Sequence, residues 1–147
     1  MPAPFVPLAA AGVLLAVLAS PAIAASDPPV AAPIAARLSG GEEVPPADTD
    51  GTGSFAGRFN DTLDQLCYVL TVERLAHPTA AHIHAGAAGE NGPPVVTLRA
   101  PTAGTTGACA TLTAELAIKL SQHPERYYVN VHDTAHPNGA VRGQLGR

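Results

Sequence analysis

The chain has 147 residues, a net charge of −4, two cysteines and no tryptophan. Its eight basic residues are scattered, so no basic stripe offers a footprint for nucleic acid or a dock for anionic lipid. Setting aside the N-terminal segment described next leaves about 120 residues, enough for one core and too few for a second.

The first 24 residues, MPAPFVPLAAAGVLLAVLASPAIA, carry no charged side chain. An apolar run over residues 12–18 leads to Ala22-Ile23-Ala24, the small-x-small pattern of a signal peptidase site. Residues 1–24 therefore read as a secretory signal, and the protein is expected to be secreted or periplasmic. The run is short and broken by Pro21, a poor membrane span, so no membrane contact is expected after cleavage. Residues 25–35 are rich in Pro and Ala and read as a flexible spacer. Residues 36–147 form the domain.

Within that domain β signals dominate. GSFAGRFN (53–60) puts Phe55, Gly57 and Phe59 on one face, and LCYVLTVE (66–73) does the same with Leu66, Tyr68, Leu70 and Val72. Such period-two alternation marks strands with one buried face, and the NDTLDQ between them has hairpin-loop composition. Further strands are expected over residues 81–84, 94–98, 108–112, 127–132 and 141–145, bounded by GENGPP, PTAGTTG and HPNG. Thr113 as N-cap, the apolar residues Leu116, Ile118 and Leu120, and Pro124 beyond them predict one short helix near 113–122. The expected fold is all-β: an antiparallel, Greek-key-like sandwich or barrel of about seven or eight short strands with that one helix.

Cys67 and Cys109 suit a single disulfide in an exported domain, worth about 4 kcal/mol on the chain-entropy estimate. The alternative, a pair of metal thiolates, lacks any CxxC spacing. The stretch AAHIHAG carries His82 and His84 at i and i+2, which leave the same face of a strand about 6–7 Å apart. In YYVNVHD, Tyr128, Asn130 and His132 share a face. If the two strands are neighbours, His82, His84 and His132 can converge on Cu(II) or Zn(II) and leave a position open. Asp133 and Glu43 could then serve as a fourth ligand or as acceptors that fix imidazole tautomers. The competing reading makes the histidines part of a buried polar network without metal. His77, His123 and His136 each precede proline and read as turn residues. Arg142 could fork onto Glu43 as a structural strut, or serve as an anion-binding residue.

No catalytic residue is nominated, because the G-x-S-x-G elbow, the phosphate-cradling Gly loop and H-E-x-x-H are all missing. Glu42 and Glu43 are adjacent, so in a strand they face opposite ways and make a poor acid–base pair. No motif identifies a protein partner.

The series LSGGEEVPP, CYVLTV, AAHIHAGAAGENGPPVVTL, YYVNVH and HPNGAVRGQL resembles the CHRD domain family, a module also repeated in chordin, over about residues 34–145. The positions that match are Glu43, Pro45, His82, His84, Gly86, Gly92, Pro93, Asn130, His132, Gly139, Arg142 and Gly143. The resemblance implies an all-β domain of secreted or periplasmic proteins, with Glu43, the three histidines and Arg142 in one cluster. Growth-factor binding does not carry over, since this chain lacks chordin's cysteine-rich domains. H-x-H on a strand is also similar to copper-zinc superoxide dismutase, but no bridging histidine or complete ligand set accompanies it. The expected function is transition-metal (Cu or Zn) binding; the alternatives are a non-catalytic interaction module and, third, a copper-dependent oxidoreductase.

Overall fold

The computed structural model describes Met1, residues 31–60, Thr62 and residues 64–147. Most of the expected signal segment, and the spacer through residue 30, lie outside the described residues. Among the described residues no helix is long and apolar enough to cross a membrane.

Among the described residues eight strands follow in order: β1 (Ile34–Ser39), β2 (Thr52–Phe59), β3 (Gln65–Glu73), β4 (Pro78–Ala85), β5 (Pro94–Leu98), β6 (Thr105–Thr111), β7 (Tyr127–Asp133) and β8 (Val141–Gln144). Among the described residues one α-helix, α1 (Ala114–Gln122), lies between β6 and β7. The strands form one antiparallel sheet in the order β5-β4-β7-β8-β1-β2-β3-β6. Its edge strands, β5 and β6, approach each other, so the sheet is nearly closed into a barrel.

Side-chain alternation sets the inside. Phe55 and Phe59 on β2, with Leu66, Tyr68, Leu70 and Val72 on β3, are buried as their period-two pattern requires. Ile34, Ala36 and Leu38 of β1, Ala81 and Ile83 of β4, and Val129 and Val131 of β7 complete the wall. β1 begins inside the stretch read as spacer. Alanine at positions 31, 32, 35 and 36 blurs its alternation, and only Ile34 and Leu38 mark the inner face.

Helix α1 matches expectation: the Thr113 hydroxyl accepts from the Leu116 N–H at 3.3 Å, and Pro124 follows the end. Ala117 and Leu120 bury its inner stripe, while Ile118 stays exposed. Cys67 on β3 stands opposite Cys109 on β6 and the two are disulfide-bonded. The bond ties the edge strand β6 to the sheet interior.

Candidate metal centre

Because Ala81 and Ile83 turn inward, His82 and His84 of β4 must point out of the barrel. The same logic on β7 sends Val129 and Val131 in and Tyr128, Asn130 and His132 out. The β4–β7 register sets His84 opposite Tyr128, His82 opposite Asn130 and His132 opposite Ala80. His132 is thus diagonal to His82, and the small Ala80 leaves its ring free to lean across. The imidazole centroids lie 5.3 Å apart for His82–His132, 5.6 Å for His82–His84 and 6.5 Å for His84–His132. One nitrogen from each ring lies within 4.8 Å of the other two. His82 Nδ1 and His132 Nε2 are 3.3 Å apart, which matches two nitrogens sharing a tetrahedral ion at bond lengths of about 2.0–2.1 Å.

Two tautomers follow from the hydrogen bonds. A carbonyl oxygen only accepts, so the ring nitrogen facing it carries the proton. His84 Nδ1–H donates to the Gly92 carbonyl at 2.9 Å, and His132 Nδ1–H donates to the Pro137 carbonyl at 3.0 Å. Both rings therefore present the Nε2 lone pair, the arrangement by which carbonyl acceptors orient metal-binding imidazoles. His84 Nε2 is buried and has no hydrogen-bond partner. Burial, then the neighbouring His132 and His84 rings, hold His82 below the ordinary imidazole value. His132 is lowered chiefly by burial, with the Pro137 carbonyl pulling the other way. Both are held toward the neutral form that binds a cation.

Gly92 makes its contact possible because it passes against β4. A Cβ there would lie 1.6 Å from the Ala85 carbonyl oxygen, so only glycine brings this segment close enough to reach His84.

Around the histidines lies a second layer of polar groups. Tyr128 stacks on His84, with centroids 4.9 Å apart and planes 11° from parallel. From β8, on the other side of β7, the Arg142 guanidinium sits 3.4 Å above the Tyr128 ring. Arg142 does not fork onto Glu43, one of the two roles open to it from the sequence. Three of its five N–H groups donate to Asn91 Oδ1 at 3.1 Å, the Glu90 carbonyl at 2.6 Å and the Ala87 carbonyl at 3.3 Å. The returning 86–93 segment places these acceptors nearer, so Arg142 is a strut between β8 and the β4–β5 connection.

Glu43 is buried and accepts from Asn130 Nδ2 at 3.0 Å. Burial pushes its carboxyl up to about 7, against the opposing pull of Asn130, Arg142 and His136. Asp133 accepts from the His136 main-chain N–H at 2.7 Å and from His136 Nδ1 at 2.9 Å. Glu43 and Asp133 are thus engaged elsewhere, and the acceptors that orient the imidazoles are main-chain carbonyls. His77, His123 and His136 stand in connecting segments, outside the three-histidine group. Tyr128 was legible in the alternation that placed it beside Asn130 and His132. The carbonyls of Gly92 and Pro137 had no side-chain signal.

The CHRD domain family matches residues 34–145, most of the chain. The chain belongs to the CHRD family. No curated protein and no solved structure matches it. The CHRD motifs HIH and YVNVH supply the three rings, and NG..RGQ supplies Gly139 and the strut Arg142.

Proposed function

We propose that this CHRD domain is an exported module that binds one divalent transition-metal ion through His82, His84 and His132, with Cu(II) or Zn(II) as the occupant. The observation that carries the reading is His84 Nε2, a buried lone pair with no partner on a ring whose other nitrogen is fixed by a carbonyl. Leaving such an atom unsatisfied costs about 1–3 kcal/mol, and a shared cation removes that cost. An all-imidazole donor set suits both ions, while the lack of thiolate or thioether donors disfavours Cu(I). Such an ion would supply Lewis acidity or, for copper, redox capacity at its open position. Export is supported by the signal-like N-terminus and by a disulfide of the kind that persists in oxidising compartments.

Titration of the purified chain with Cu(II) and with Zn(II) tests this. One equivalent should bind tightly to the parent protein, and His84→Ala should abolish stoichiometric binding. Zero stoichiometry for both metals overturns the reading.

The 3.3 Å approach of His82 Nδ1 to His132 Nε2 also fits a direct N–H···N hydrogen bond. That contact favours a second reading, a metal-free polar network in a non-catalytic interaction module. It leaves His84 Nε2 unexplained. A thermal melt with and without chelator separates the two: metal binding predicts a fall in Tm on chelation, the network predicts none.

A further inference from the structure

The two buried carboxylates among the described residues, Glu43 and Asp133, are treated differently by their surroundings. Asp133 has two donors, both from His136. Glu43 has one, Asn130 Nδ2, on Oε2. Its Oε1 is buried without a partner, and so is Oδ1 of that same Asn130. The two orphans therefore belong to one bonded pair.

An ionised carboxylate only accepts, and so does an amide oxygen, which leaves two acceptors and no donor for them. A carboxylic acid and a primary amide are complementary. Each is planar and presents one donor beside one acceptor, so a single proton on Oε1 answers both orphans at once. No other group among the described residues donates to Oε1. The three Arg142 hydrogen bonds go to Asn91, Ala87 and Glu90, and the His136 ring nitrogens face Asp133 Oδ1 and the Asp48 carbonyl. Gly139, at φ +136°, packs its backbone on the carboxyl, and a Cβ there would lie 2.7 Å from both Glu43 oxygens. Oε1 is closed to solvent, so a ligand in the adjoining cavity cannot answer it directly.

We propose that Glu43 is held as a neutral carboxylic acid, with its Oε1–H donating to Asn130 Oδ1, forming a two-bond clasp between the 40–51 segment and β7. The clasp closes by taking one proton from solvent. It is independent of whether the three histidines bind metal, although Asn130 stands in register with His82 and two residues from His132. The charged or titratable groups facing the carboxyl are Arg142 from β8 and His136 from the β7–β8 turn, the latter bonded to Asp133. Both favour ionisation, and burial outweighs them, giving the value of about 7 against an ordinary 4.5. Because the folded value is raised, the clasp's stabilisation is complete below about pH 4.5 and is lost as pH rises through about 7.

The test uses the chelated full chain, so a failure of the metal reading does not bear on it. Carbon-13 NMR of the Glu43 side-chain carboxyl should show a midpoint near 7. Glu43→Gln presents an N–H and a C=O as the acid does; it should match the parent in stability at pH 4–5 and exceed it progressively toward pH 8. Comparing the two at each pH cancels the histidine titrations common to both. A carboxyl midpoint near the ordinary 4.5, as a trapped water donating to an anion would give, overturns the proposal. So does a parent–variant difference that stays flat over pH 5–8. If the variant does not fold, the NMR midpoint alone decides.

Discussion

The outer surface of this barrel has two unlike halves. Outside β1, β2, β3 and β6, Ala35, Ala56, Val69 and the Cys67–Cys109 bridge, with Arg58 at one side, line an open groove of about 610 Å³, and no group of histidines or carboxylates among the described residues converges there. Outside β4, β7 and β8 the outward positions are His82, His84, Tyr128, Asn130, His132 and Arg142, overlaid by the 40–51 and 86–93 segments. The larger cavity lies on the half with fewer converging polar groups. The chemistry is concentrated where loops fold back and close space rather than where space is left. Pocket size alone therefore points to one half, and convergent polar groups with unsatisfied valence point to the other.

Five changes break or sharpen that contrast. The largest effect is expected from His84→Ala or His132→Ala, which should eliminate stoichiometric Cu(II) or Zn(II) binding by calorimetric titration while the fold, read by circular dichroism, persists. Next, Cys67→Ala with Cys109→Ala should cost about 4 kcal/mol in denaturant unfolding and leave metal stoichiometry unchanged at permissive temperature. Loss of metal by that variant while still folded would show that the halves are coupled. Third, Gly92→Ala forces the 86–93 segment away from the Ala85 carbonyl and off His84 Nδ1. Metal affinity should then fall about 10–100-fold with all three ligand rings intact.

Fourth, in the metal-free protein the histidine cluster should withdraw its contribution to stability on acidification. His82 and His132 are lowered in the folded state, so the unfolded chain binds protons more readily below the ordinary imidazole value of 6.5. The histidine contribution is present above that value and is lost as pH falls, opposite in sign to Glu43. Double substitution His82→Gln and His132→Gln should remove this acid limb from a pH series of melts. Last, Val69→Thr on the groove, half-exposed at 52%, should change stability by less than about 0.5 kcal/mol and leave metal binding untouched.

Much of this was legible in the chain. Phe55, Gly57 and Phe59 against Leu66, Tyr68, Leu70 and Val72 announce two half-buried strands, and Thr113 with Pro124 brackets a helix that appears where expected. β1 was hidden because alanine occupies both of its faces and carries little period-two signal. The three histidines were legible as candidates through the shared face of i and i+2 positions and through the YVNVH alternation. Arg142's destination was not: a side chain that long reaches several acceptors, and main-chain carbonyls at Ala87 and Glu90 outcompeted Glu43.

The sequence by itself determined the periodicities, and with them which side chains share a face of each strand, because alternation is a local property of the extended backbone. It also determined the cysteine pair and the CHRD motifs. The tertiary structure alone decided that β4 and β7 are neighbours in a register that sets His132 diagonal to His82. It also decided that the Gly92 and Pro137 carbonyls turn two lone pairs toward one point, and that Glu43 and Asn130 meet with one proton's worth of hydrogen bonding unfilled. The first two depend on main-chain carbonyls, which every residue carries alike, and all of them on pairing between residues 50 or more positions apart.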